Sequence, residues 1–312
     1  MAEAAVVERE DVLRAAEVIR GRVHRTPTFT SRLLGPGVYL KAELFQHTGS
    51  FKPRGVLNKL ASLTPEEKAR GVIGISAGNH AAALAWGAAE EGIDCLVVMI
   101  SGAVEAKVAA TRAYGARIDM DSDGWVEAFT RFDELIAATG RTVVHPHSDP
   151  LVIAGQGTVG LEVEEDAPDA VVVVVAGGGG GLSAGVAAAL PDHRVIVVEP
   201  EGSSVIHESL AAGQPVAVTP VSIADGLCTP YTAQTALDIL REREVESVLV
   251  SEDEIEEAFR WLYQRAKLAC EPAAATALAP LLSGRVEARS VAVVVSGGNV
   301  APETAAAILA RS

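Results

Sequence analysis

Residues 170–190 read AVVVVVAGGGGGLSAGVAAAL. The stretch carries no charge and is long enough, as a helix, to cross a bilayer. Five consecutive glycines at 177–181 argue against that. A strand over 171–175, a glycine loop and a helix over 183–190 account for it better. The valines run on without alternation, as in a parallel strand covered on both faces. Glycine amides bare of side chains, at the start of a helix, make a phosphate cradle. No Gly-Lys-Ser/Thr follows, so this is not a Walker loop. It also lacks a clean G-x-G-x-x-G with an acid about 20 residues on. The cradle therefore suits a monophosphate better than a nucleotide, and a tight turn alone would not need five glycines.

The same alternation extends in both directions. Further strands are expected at 72–75, 95–99, 195–198 and 291–295, and helices at 80–91, 104–114, 125–139, 253–269 and 301–311. An opening helix over 11–20 carries Val12, Ala15, Ala16 and Ile19 at helical spacing, with Gly21 as its stop. This order predicts an α/β fold built on open, mainly parallel sheets. The 312 residues suggest roughly two domains, with ample core and no need of a disulfide or metal staple. Residues 214–232, with Pro215, Pro220 and Pro230, are the least regular and read as a loop that can border a site.

Composition excludes several classes. At 49% hydrophobic and 21% charged residues, the chain is neither disordered nor fibrous. A net charge of -15 repels phosphate backbones, so no nucleic-acid partner is expected, and an anionic cofactor must be held by local groups. The acidic opening MAEAAVVERE is not expected to be a signal peptide, and no membrane association is expected. Cys95, Cys228 and Cys270 form no C-x-x-C pair and read as reduced thiols of a cytoplasmic protein.

Three more clusters carry chemistry. In HTGSFKPRG (47–55), Ser50 can cap a helix beginning at Phe51. Lys52 then stands at the positive end of the dipole, which lowers its amine pKa as an imine-forming lysine requires. Alone, a lysine at a helix start is ordinarily a solvated surface residue. In SAGNHA (76–81), Ser76, Ala77, Gly78, Asn79 and His80 follow a strand and can turn their amides to a carboxylate. A plain turn with His80 on the surface reads equally well. In SGGNV (296–300), Ser296 emerges at the carboxyl end of a strand, where open α/β sheets bind ligands.

The segments KAELFQHTGSFKPRG, SAGNHA, HPHSDPLVIAGQGTVGLE, GGGGLSAG, IADGL, CEPAAA and SGGN stand in one characteristic order. Over residues 40–300 the chain resembles the fold-type II pyridoxal-phosphate (PLP) enzymes, specifically their serine/threonine dehydratase and serine racemase branch. The resemblance implies a tryptophan-synthase-β-like architecture. A small domain of residues 70–146 would be inserted into a large PLP-binding domain of residues 1–69 and 147–312. It implies Lys52 as Schiff-base lysine and catalytic base, with Phe51 beside it. Gly178, Gly179, Gly180, Gly181 and Leu182 would hold the phosphate, Asn79 the phenolic oxygen and Ser296 the pyridine nitrogen. Gly226 and Glu271 would lie near the ring. Ser76, Ala77, Gly78, Asn79 and His80 would bind a small amino-acid substrate, in a homodimer.

Departures from the family pattern refine this. The sulfhydrylases are similar in fewer of these segments. Serine racemases carry a serine before Gly-Asn-His, the acid/base for the second face of the substrate carbon, whereas this chain has Ala77. Ala82 replaces a usual glutamine, and His147 and Ser148 replace a common Phe-Asp after His145-Pro146, so His147 is expected to face the substrate. Some relatives bind a cation through a glutamate and an aspartate six residues on; here Glu199 is followed by Val205, and no metal is expected. Relatives under branched-chain feedback carry an added C-terminal domain; this chain ends at Ser312, and such control is not expected. The expected reaction is dehydrative deamination of L-threonine and/or L-serine. The alternatives are a serine or other amino-acid racemase, a dehydratase of hydroxyaspartate or phenylserine, a non-catalytic PLP-binding protein, and a nucleotide-binding protein disfavoured by the missing Gly-Lys-Ser/Thr.

Overall fold

The computed structural model describes residues 7–311. Its strands in chain order are β1 (Thr28–Thr30), β2 (Val38–Ala42), β3 (Val72–Ile75), β4 (Cys95–Val98), β5 (Arg117–Asp119), β6 (Thr142–Val143), β7 (Val172–Ala176), β8 (Arg194–Pro200), β9 (Glu246–Val250) and β10 (Val291–Val295). They form a six-stranded sheet, β1-β2-β10-β7-β8-β9, and a four-stranded sheet, β5-β4-β3-β6. Only β1 against β2 is antiparallel; every other pairing is parallel.

The continuous valine runs have a plain physical reason. Alternate residues of a strand point to opposite faces, and both faces of the large sheet are covered. Val173 and Val175 pack with Val195, Val197, Ala292 and Val294 on one side. Val172, Val174 and Ala176 pack with Ile196, Val198, Val293 and Val295 on the other. Fully burying one such side chain contributes about 1.5–3 kcal/mol, and these strands leave almost none exposed. In the small sheet, Val72 and Val97 meet one core and Ile73, Ile75 and Val98 another. Residues 170–190 are thus strand, glycine loop and helix, and no described helix is long and apolar enough to cross a membrane.

The expected helices appear within two residues of their expected bounds, except that over 253–269 the α-helix stops at Trp261. A π-helical turn, Leu262–Ala266, follows and ends on Lys267 at φ 62°. Two β-strands flanking the core, β2 and β9, and the 17-residue helix Pro150–Asp166 have no counterpart in the sequence reading. That helix contains Gly155, Gly157 and Gly160, poor helix formers that mask it. Packing supplies what propensity lacks. Gly157 faces Gly185 of the helix Gly181–Ala189 so closely that a Cβ on Gly157 would lie 2.6 Å from the Gly185 carbonyl oxygen. Asp149 caps the helix through the Leu151 amide, and Pro150 takes its first turn.

Ser50 corrects one expectation. The helix begins at Pro53, not Phe51, and the Ser50 hydroxyl caps nothing. Ser50 is instead extended, bridged to Gly297, while the Phe51 amide donates to the Ser296 carbonyl at 3.1 Å. The segment before Lys52 is thereby sewn to the end of β10.

Candidate active site

The carboxyl ends of the two sheets open toward one another. β7 delivers the glycine loop, β10 delivers Ser296, β3 delivers Ser76 to His80, and the segment after β6 delivers His145 to His147. Lys52 sits among them, its amine donating to the Pro146 carbonyl at 3.1 Å and lying 5.0 Å from the centre of the Phe51 ring. The residue is partly accessible from the cleft, but its amine is surrounded by protein, and burial lowers its pKa to about 8 against the opposing pull of Glu271. Desolvation is therefore the main cause of the softened amine.

Two sets of amides stand unspent. Gly178, Gly179, Gly180, Gly181 and Leu182 donate no N–H to any described residue, although they lie at the mouth of a buried helix. Gly180 takes φ 90°, which only glycine adopts readily. Buried backbone donors are almost always paired, so five consecutive free ones fit an anion. Across the cleft, the amides of Ala77, Asn79 and His80 are also free, while the Gly78 amide donates to Ser76 Oγ at 3.1 Å. The His80 side chain is not on the surface. Its Nε2 donates to the Val144 carbonyl at 2.8 Å, and burial drops its pKa to about 3. Only its backbone faces this nest.

Asn79 gives one amide hydrogen to Glu271 Oε1 at 2.7 Å, and its own oxygen accepts from Asn299 at 2.8 Å. Its second hydrogen has no partner among the described residues. Burial pushes Glu271 up to about 7, the Asn79 hydrogen bond opposing it. Ser296 Oγ likewise bonds to no described residue, whereas Gly226 lies exposed beside Ala273. Both oxygens of Glu199 are spent on the amides of Ile206 and His207, at 2.9 and 2.7 Å, at the start of the helix Val205–Ala212. No group of three metal-ligating side chains occurs among the described residues.

Three features escaped the sequence reading. A buried ion network anchors the Lys52 helix: Arg54 holds both oxygens of Glu43 at 2.8 Å and Glu162 at 2.7 Å, and Lys41 pairs with Glu162 at 2.7 Å. Its only sequence signal is charge inside otherwise apolar segments, Lys41 and Glu43 around β2. Tyr231, on the irregular stretch 214–232, reaches the site, where its hydroxyl accepts from His145 Nε2 at 3.1 Å. His145 Nδ1 accepts the amides of His147 and Ser148, which leaves the hydrogen on Nε2. Thr232 closes the same wall by donating to the Gly179 carbonyl at 3.1 Å.

The sequence profile of the family described as "Pyridoxal-phosphate dependent enzyme" matches residues 19–297. The catabolic L-threonine dehydratase of Escherichia coli (strain K12) is 40% identical over 305 residues, covering 93% of this chain and 92% of that protein. A threonine deaminase structure from T.th. aligns with a TM-score of 0.89 at 38% identity, over 94% of this chain and 99% of that one. A maize serine racemase structure aligns with a TM-score of 0.92 at 32% identity, over 97% and 96%. An amine whose pKa is brought down to about 8, facing a row of free amides, fits an aldehyde that carries a phosphate, and on this footing the chain belongs to the family of pyridoxal-phosphate-dependent enzymes.

Proposed function

We propose that the chain is a PLP-dependent ammonia-lyase that converts a 3-hydroxy-L-amino acid, L-threonine and/or L-serine, to a 2-oxo acid and ammonia. The observation that carries this reading is the meeting of one buried amine, Lys52, with two rows of free amides, one fit for a phosphate and one for a carboxylate. The names of the relatives support it.

When bound, PLP supplies the electron sink that acidifies the substrate Cα–H. Lys52 would hold the cofactor, and its amine, when free, would serve as the base that takes the Cα proton. The amides of Ala77, Asn79 and His80 hold the substrate carboxylate, and those from Gly178 to Leu182 hold the phosphate. The free hydrogen of Asn79 would be available to the phenolic oxygen. Ser296 would offer the pyridine nitrogen a neutral hydroxyl rather than a carboxylate, a partner that would favour elimination over transamination. Water leaves across Cα and Cβ; the released unsaturated amine then takes up water and gives ammonia and the 2-oxo acid. Phe51, Glu271 and Gly226 line the same space.

Residues 70–146 form, in this reading, the small lobe inserted into residues 1–69 and 147–312. The four-stranded sheet, drawn entirely from residues 72–143, supports the division. Its lobe reaches the other through Asn79 to Glu271 and Lys107 to Asp225. A cytoplasmic homodimer completes the proposal, and the three unpaired thiols agree with a reducing compartment.

Racemisation is the second reading, favoured by the maize structure. Ala77 speaks against it, because a methyl cannot deliver a proton to the substrate face opposite Lys52. A panel of 3-hydroxy-amino acids assayed for 2-oxo acid, with chiral chromatography of the residual substrate, tests both readings at once. The expected result is release of 2-oxobutanoate or pyruvate with almost no D-isomer. Abundant D-serine would replace the lyase by a racemase, and no 2-oxo acid from any substrate would leave a PLP-binding protein without this activity.

The Lys52 amine also predicts a pH dependence. It is neutral above its pKa of about 8 rather than above the ordinary 10.5. Reaction of the PLP-free chain with PLP, followed by visible absorbance, should accelerate with pH and level off near that value. A rate still climbing at the ordinary lysine pKa would contradict a desolvated amine.

A further inference from the structure

We propose that His147 is a side-chain ligand of the cofactor phosphate, donating from Nδ1 to the anion that the glycine loop holds. The inference rests on PLP binding in that loop and adds an imidazole to a cradle otherwise made of backbone amides.

The ring of His147 lies flat against the loop. A Cβ on Gly179 would fall 2.6 Å from His147 Nδ1, and one on Gly181 would fall 2.9 Å from His147 Cα. Glycines at these two positions are what let the imidazole approach. The ring cannot swing away easily: the His147 amide donates to His145 Nδ1 at 3.3 Å, the His145 ring stands edge-on to it at 4.7 Å, and Tyr231 closes the third side at 5.5 Å. His147 is only 7% exposed, and its Nδ1 is buried with no hydrogen-bond partner. A buried ring nitrogen left unpaired is unfavourable unless a ligand satisfies it.

The surroundings decide the sign of that ligand. The titratable groups around His147 are His145, Lys52, His80 and Tyr231, and no carboxylate is among them. Burial and these neighbours keep the imidazole neutral, its pKa well below the usual histidine value. Neutral imidazole carries one N–H. With that hydrogen on Nδ1, the group is an orphaned donor packed on Gly179 and Gly181, inside the run of orphaned amides from Gly178 to Leu182. A phosphate has the lone pairs to satisfy them all; a substrate methyl has none. His147 therefore belongs to the phosphate side of the site rather than to the substrate side.

The test uses the holoenzyme and reads the phosphate directly. Histidine ¹⁵N spectra of the wild-type holoenzyme should show His147 protonated on Nδ1, with that nitrogen shifted between the PLP-loaded and PLP-free chain. His147→Phe should move the ³¹P resonance of the bound cofactor and weaken PLP roughly tenfold or more, the size of a hydrogen bond to a charged group. His147→Asn, whose amide can stand near the Nδ1 position, should recover most of that affinity. An unprotonated Nδ1 in the wild-type holoenzyme overturns the proposal even if the Phe variant fails to fold. So does a Phe variant with unchanged ³¹P shift and PLP affinity, or a His147 signal that moves only when a substrate analogue is added. A wild-type chain that takes up no PLP would sink the functional reading itself, which is a different result.

Discussion

Lys52→Ala should lose turnover and the visible absorbance of the lysine-bound cofactor together. One amine serves as anchor and as base, so both readouts vanish with it. Loss of a general base alone costs on the order of 100- to 10,000-fold, and loss of the anchor adds to that. No second lysine is placed to substitute. Lys59 lies about two turns further along the same helix, roughly 10 Å at 1.5 Å per residue, and is paired with Asp149 at 2.7 Å. Lys107 is held by Asp225. The glycine loop survives the substitution, so the variant should still bind PLP without a covalent bond. Stopped assays for 2-oxo acid and an absorbance spectrum decide it; elimination at a near-normal rate would remove Lys52 from the chemistry.

Arg54→Ala should cost about 3–5 kcal/mol of folding stability, the range for stripping one partner from a buried ion pair. Glu43 is fully buried and receives two hydrogen bonds from Arg54 and one from Thr26. Without the guanidinium its carboxylate is left in the interior with a hydroxyl for company. Glu162 retains Lys41, so the damage centres on Glu43. The loss reaches the site as well, because Arg54 stands two residues past Lys52 and fixes the helix that aims it. Urea unfolding compared with wild type measures the first effect and PLP retention the second. A change below about 1 kcal/mol, the ceiling for an exposed pair, would show that solvent reaches Glu43.

Where residues state their role by pattern, the sequence was enough. The valine runs of β7 and β10 are strands because both faces are buried, and five glycines before a helix are a loop because nothing else tolerates them. The helix Pro150–Asp166 was illegible for the opposite reason: its glycines answer to the close approach of Gly185 on the neighbouring helix, not to local propensity. β2 and β9 were hidden because charged and half-buried positions interrupt them. In the site, the motifs named Lys52, Asn79, the glycines and Ser296, and the structure gathers them. They could not show that Ser50 caps nothing, that burial softens Lys52, or that Tyr231 and His145 form one wall. Each of those depends on a partner far along the chain.

The strand order of the large sheet sets a schedule for synthesis. β10, with Val291 paired to Val38 on one side and Val172 on the other, is the interior strand that joins the two halves of the sheet. Roughly 250 residues separate it from β2, and at about 5–20 residues per second they take roughly 12–50 s to translate. Until then β1 and β2 have only each other to pair with, and Lys52, whose neighbour Phe51 is sewn to Ser296, has no fixed place. The strands of the small sheet, in contrast, are all available once residue 143 has emerged. The nascent chain must therefore carry the ribbon 38–42 with one edge open until β10 emerges, and the cofactor can find its cradle and its lysine together only after that.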